Sequence, residues 1–166
     1  DGAIRMIVLL HFFHLGFSPL SLALLFLLYE LVGVITNLIG GWVTSFYGIK
    51  RMLSLGVLLQ IFGLCLLSLY TSSWGLYSSI IWIMIAQGIS GIAKDISKTS
   101  SKSAVKIVSG DGNGLLFKWV SWFTGLKNIS KGLGFFFGSL LIEIIGFHYS
   151  LYTLILLLSL CLFSLI

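Results

Sequence analysis

Charge is what this sequence has least of. Only 9% of its 166 residues are Asp, Glu, Lys or Arg, where a soluble domain carries about 25%. A folded surface with so little charge does not stay in water. That excludes a soluble globular domain, a nucleic-acid-binding domain and a disordered tail. Acid is scarcer than base, with five Asp or Glu against ten Lys or Arg. Proline occurs once, at Pro19, so almost nothing interrupts a long helix. There are two cysteines, Cys65 and Cys161, each inside an apolar run. No disulfide framework or cysteine metal centre fits that pattern, and both are expected to pack as small hydrophobes. A phosphate-cradling glycine loop and a nucleophile–base pair are also missing. The sequence therefore predicts no enzyme, no cofactor and no nucleic-acid partner.

What remains is apolar. The residues Ala, Val, Ile, Leu, Met, Phe, Trp, Tyr and Cys make up 58%, and mean hydropathy is +1.09. This is the composition of an integral membrane protein. The apolar runs are continuous rather than alternating, which argues for helices and against a β-barrel. The expected fold is an all-α integral membrane six-helix bundle. Its spans are 2–15, 20–43, 52–70, 74–93, 115–146 and 149–166. The first reaches about 21 Å, short of the ~30 Å hydrocarbon core. The chain begins with Asp1 and ends inside an apolar run. It is therefore expected to be a fragment of a longer protein. Ser18 can cap the second helix and Pro19 suits its first position. The fourth helical pattern can continue to Lys106, before Ser109-Gly110-Asp111-Gly112-Asn113-Gly114 breaks it.

The connections fix an orientation. Those at 44–51 and 94–114 hold Lys50, Arg51, Lys94, Lys98, Lys102 and Lys106. The other three connections hold no Lys or Arg. The positive-inside rule makes the basic side cytoplasmic, which places the amino terminus there as well. A multi-pass protein of a plasma membrane, in bacteria the inner membrane, is the expected location. Trp42, Trp74 and Trp119 fall at the inferred boundaries as interfacial anchors.

A charge at membrane depth is costly, about 2.5–3.5 kcal/mol on insertion scales, so it faces protein or water. Arg5 lies eleven residues before Gly16, and Glu30 lies eleven after Pro19. Both are then about 16 Å from the outer side, near the midplane of adjacent antiparallel helices. Lys131 is about 22 Å in, counted back from Gly146, and Lys127 shares its helix face one turn deeper. Glu143 is expected at the outer interface. Arg5, Lys127 and Lys131 thus outnumber Glu30, and an anionic substrate would supply the balance. Arg holds an oxyanion with a bidentate fork, while Lys acts as a point charge. Glu30 is either a proton-coupling carboxylate or the resting partner of Arg5. His11, deeper than His14, is the second proton-coupling candidate. Two histidines three apart, with no third ligand nearby, do not make a metal site.

Lys94, Lys98, Lys102 and Lys106 recur every fourth residue and form a basic stripe. The first expectation for it is contact with anionic lipid head groups of the bilayer. The alternative is a basic funnel at the cytoplasmic mouth. Small residues such as Gly134 and Gly138 are expected to let helices approach closely.

Several stretches carry a resemblance. Gly41-Trp42-Val43-Thr44-Ser45-Phe46-Tyr47-Gly48-Ile49-Lys50-Arg51 resembles the cytoplasmic gate and loop motif of the major facilitator superfamily. It keeps Gly41, Gly48, Lys50 and Arg51, but Ser45 stands where that motif has Asp. Asp1-Gly2-Ala3-Ile4-Arg5-Met6 and Thr36-Asn37-Leu38-Ile39-Gly40-Gly41-Trp42 add to it. So do Gln87-Gly88-Ile89-Ser90-Gly91-Ile92-Ala93-Lys94-Asp95 and Leu116-Phe117-Lys118-Trp119-Val120. Together they resemble the organoarsenical efflux permeases of that superfamily, over nearly the whole chain.

The resemblance implies the amino-terminal six-helix half of a twelve-helix carrier, with a missing carboxy-terminal half as its partner. It implies efflux of 1-arseno-3-phosphoglycerate and hence arsenate resistance, with Arg5 in the place of a substrate-binding arginine. Two rivals stand beside it. One is a carrier of this superfamily for another anion or a drug. The other is a non-transporting membrane assembly protein, in which the buried cations pair within a complex.

Overall fold

The computed structural model describes every residue except Ser72, residues 110–114 and Ile166. The described residues form helices and short turns, with no strand among them. In chain order these are α1 (Gly2–His14), α2 (Pro19–Tyr47), α3 (Ile49–Ser68), α4 (Leu76–Ser109) and α5 (Leu115–Leu165). α5 is broken at Gly146, where φ is 76° and ψ is 178°. Any Cβ disfavours that conformation, so glycine is what allows the chain to turn there. Residues 115–145 and 147–165 are therefore separate arms, and the described chain has six helical stretches. The partial bundle expected from the sequence is the fold observed.

Local signals act as read. The Ser18 hydroxyl accepts the Ser21 backbone N–H at 3.2 Å, with Pro19 opening α2. Segments Pro19–Gly40, Ile49–Ser68, Leu76–Ile107 and Phe117–Leu165 are each long and apolar enough to cross a membrane. α1 is a shorter apolar helix of 13 residues.

Two connections differ from expectation. The 44–51 connection reduces to Gly48, because α2 runs through Tyr47 and α3 starts at Ile49. The 94–114 connection is helical as far as Ser109. Between Gly91 and Gly110 there is no glycine or proline to stop the helix. Its hydroxyls turn back onto their own helix: Thr99 donates to the Asp95 carbonyl at 2.8 Å, and Ser101 to that of Ser97 at 2.7 Å. A polar composition that reads as loop is thus accommodated as helix.

α4 is the hub, packed on α2 and α3, while α1 lies along α5. The α1–α5 contact is backbone against backbone: a Cβ on Gly138 would stand 2.6 Å from the Cα and carbonyl oxygen of Ala3. Small residues give this approach in lipid, where apolar side chains gain nothing from leaving water. The main core cluster includes Ile7, Val8, Phe12, Leu64, Tyr70, Ile83 and Phe147. Large apolar side chains such as Leu38, Tyr77, Phe117 and Phe163 point outward, as a lipid-facing surface requires. Cys65 and Cys161 are exposed as well. They lie on that apolar outer surface rather than packed inside, which corrects the expectation for them.

Candidate functional site

The charges expected at membrane depth come together with two of the stripe lysines. Arg5 from α1, Glu30 from α2, Lys94 and Lys98 from α4, and Lys127 and Lys131 from α5 line one cleft of about 560 Å³. The serines of α4 and α5, Ser97, Ser101 and Ser130, add hydroxyls to its wall.

Six of the charges near this cleft form a chain of alternating sign. Asp1 lies 3.8 Å from the Arg5 Nε. Arg5 donates from its Nη2 to the Glu30 Oε1. Lys94 is 3.7 Å from the Glu30 Oε2 and 3.5 Å from the Asp95 Oδ2. Lys98 reaches the Asp95 Oδ1 at 3.4 Å. Three cations (Arg5, Lys94, Lys98) meet three carboxylates (Asp1, Glu30, Asp95), so the chain is neutral. Asp95 is 3% exposed and has a cation at each oxygen, as a buried carboxylate requires.

Tyr29 sets the spacing of the two central cations. It is 2% exposed, and its hydroxyl donates to Asp1. The Arg5 guanidinium carbon lies 4.7 Å from its ring centroid and the Lys94 ammonium 4.2 Å. Both are cation–π distances. α2 and α4 come close here: a Cβ on Gly91 would be 2.5 Å from the Tyr29 carbonyl oxygen.

The part of the cleft lined by α5 is not neutralised. Among the described residues neither Lys127 nor Lys131 has a carboxylate within ion-pair distance. Lys131 lies 5.6 Å from the Phe135 ring centroid. Both lysines are exposed toward the cleft, so they keep hydration there. The cleft thus holds two positive charges beyond those its own acids balance.

The other expected residues lie elsewhere. The His11 ring stacks on Phe147 at 3.9 Å, and its Nε2 is buried without a hydrogen-bond partner. Phe12 and Tyr70 meet it edge-on, while His14 is exposed. His11 therefore sits in the aromatic core and does not line the cleft. Lys50 and Arg51 are exposed on the first turn of α3, and Gly48 separates α2 from α3. Gly41 lies within α2. The basic stripe divides: Lys94 and Lys98 enter the cleft, while Lys102 and Lys106 stay exposed beyond it. Counting the four lysines as one lipid-facing stripe is thereby corrected for its first two members.

Asp1, Tyr29 and Asp95 belong to stretches that carry the family resemblance, but the sequence reading assigned none of them to the site. For Asp95 a signal existed: an acidic residue inside a lysine stripe, three residues before Lys98 and so on its helix face. Tyr29 gave none, since one aromatic among many in apolar helices is unremarkable.

A family model described as Major Facilitator Superfamily matches residues 2–166. Searches among curated proteins and among solved structures found no match. With essentially the whole chain matched, with apolar helices long enough to span a bilayer and a charged cleft between them, the protein belongs to the major facilitator superfamily of membrane transporters.

Proposed function

We propose that this protein exports a small anionic phosphate ester, and that 1-arseno-3-phosphoglycerate, the substrate implied by the residue-level resemblance, is that ester. The observation that carries the reading is the pair of cleft lysines, Lys127 and Lys131, without a carboxylate partner. Two uncompensated ammonium groups in a water-accessible cleft attract an anion and repel a cation. Arg5, lining the same cleft from α1, offers the planar fork suited to phosphate or arsenate oxygens. A wholly apolar drug would leave these charges unanswered, which disfavours that rival.

In this reading the chain is the amino-terminal half of a twelve-helix carrier of a bacterial plasma membrane, with its amino terminus cytoplasmic. The two halves rock about the cleft so that it opens to each side in turn. Anions enter past the exposed Lys102 and Lys106, and the outcome is resistance to arsenate. Proton antiport supplies the driving force, with Glu30 as the coupling carboxylate and His11 as the second candidate. Everted vesicles carrying the full-length protein test this. Supplied outside with arsenate, glyceraldehyde 3-phosphate, its dehydrogenase and NAD, they should accumulate arsenic, and omission of the dehydrogenase should stop it. Accumulation of arsenate without the dehydrogenase would replace the ester by the inorganic ion.

A further inference from the structure

The Glu30 carboxylate is held unlike an ordinary surface acid. Its side chain is 56% exposed to the cleft, yet each of its oxygens faces a different cation. Oε1 takes the Arg5 Nη2, and Oε2 lies 3.7 Å from the Lys94 ammonium. The two cations do not depend on Glu30 for their position. Tyr29, buried between α1, α2 and α4, carries both on its ring, at 4.7 Å and 4.2 Å. Arg5 is also 3.8 Å from Asp1, and Lys94 is 3.5 Å from the buried Asp95. Removing Glu30 would therefore leave a preformed pair of cations facing the cleft. A carboxylate with one oxygen on each cation has the span of two oxygens of a phosphate or arsenate group.

We infer that Glu30 is an internal anion occupying the seat between Arg5 and Lys94, and that a substrate oxyanion displaces it on loading. This rests on the reading of the cleft as an anion-binding site. It adds Lys94 and Tyr29 to the site, Lys94 as a direct ligand and Tyr29 as a positioning residue. It also assigns Glu30 a role against binding. Substrate affinity is then the difference between two anions competing for one seat. Lys127 and Lys131, which line the same cleft without a carboxylate in ion-pair distance, favour the incoming anion and attract its second charged group.

The test is calorimetric titration of the full-length protein in lipid nanodiscs with 3-phosphoglycerate, at fixed pH and ionic strength. Glu30→Gln keeps the side-chain size and removes the competing charge. It should bind the probe about tenfold more tightly than wild type, the factor for the loss of two modest ion pairs, those to Arg5 and Lys94. Glu30→Asp keeps the charge but shortens the reach, so it should tighten binding a few-fold. Tyr29→Leu should weaken binding by releasing both cations. A residue that merely held the helices together would weaken binding when changed, never strengthen it. Equal or weaker binding by both Glu30 variants, with wild type still binding, overturns the inference and leaves the anion site standing. No binding by wild type or any variant overturns the anion-site reading, and this inference with it.

Discussion

The bundle has two unlike levels, and the contrast explains how it can be stable and still take up a charged solute. At the end of the bundle where α1 turns into α2 lie Phe12, Phe17, Tyr70, Trp74, Trp82 and Phe147, packed ring edge to ring face. That level is aromatic, with Phe12, Tyr70 and Phe147 buried in it. Away from it lie Arg5, Glu30, Lys94, Lys98, Lys127 and Lys131, around open space, with Asp95 buried behind Lys94 and Lys98. In lipid, the aromatic level holds helices by shape and dispersion. The charged level cannot be filled the same way, because each ion needs a partner or water. One stretch of α4 serves both, with Ile83 and Ala86 in the core and Lys94 and Lys98 in the cleft two to four turns on.

Breaking either level should give distinguishable effects. Arg5→Ala removes the one guanidinium and leaves Glu30 with only Lys94. In the proposed reading it also removes a charged hydrogen-bond donor to the anion, worth about 2 kcal/mol. Vesicle transport should fall by thirtyfold or more, with the protein still inserted in the membrane. Phe147→Ala opens the aromatic level where His11 stacks. It should lower stability by about 3 kcal/mol, read as a drop in melting temperature in detergent. The apparent KM should stay unchanged, because Phe147 does not line the cleft. Changing Lys127 and Lys131 together to Gln should raise KM about tenfold, with a smaller effect on maximal rate. The same pair should flatten the dependence of transport on ionic strength. The smallest effect is expected at Lys102, exposed beyond the cleft. Lys102→Gln should change stability by less than about 0.5 kcal/mol. Its transport at saturating substrate should match wild type.

Much of the charged level was legible before any coordinates. Counting helix rise from the outer turns placed Arg5 and Glu30 at one depth on adjacent helices, and they pair. The four-residue spacing of Lys127 and Lys131 put them on one face, and both line the cleft. Lys94 and Lys98 were misplaced for a physical reason. Depth counted from a helix start assumes that every helix begins at one level, and a lysine carries its charge several ångströms along its stem. From Leu76, Lys94 is about 27 Å along α4, which reads as the cytoplasmic boundary. In the bundle its ammonium turns onto Tyr29 and Glu30. Sequence periodicity gives the face of a helix but not its axial offset from a neighbour. That offset is set by contacts such as Gly91 on Tyr29. The break at Gly146 was legible as the end of one span and start of the next, because a glycine between two apolar runs can take the positive φ that a turn needs.

The central claim is that the unbalanced positive charge of the cleft receives an organic phosphate or arsenate ester. The most direct measurement is arsenic accumulation in everted vesicles that make the ester from arsenate with glyceraldehyde-3-phosphate dehydrogenase. Wild type should accumulate arsenic only with the dehydrogenase present. Arg5→Ala and the Lys127→Gln, Lys131→Gln pair should accumulate little. Accumulation by these variants at the wild-type rate would contradict the account.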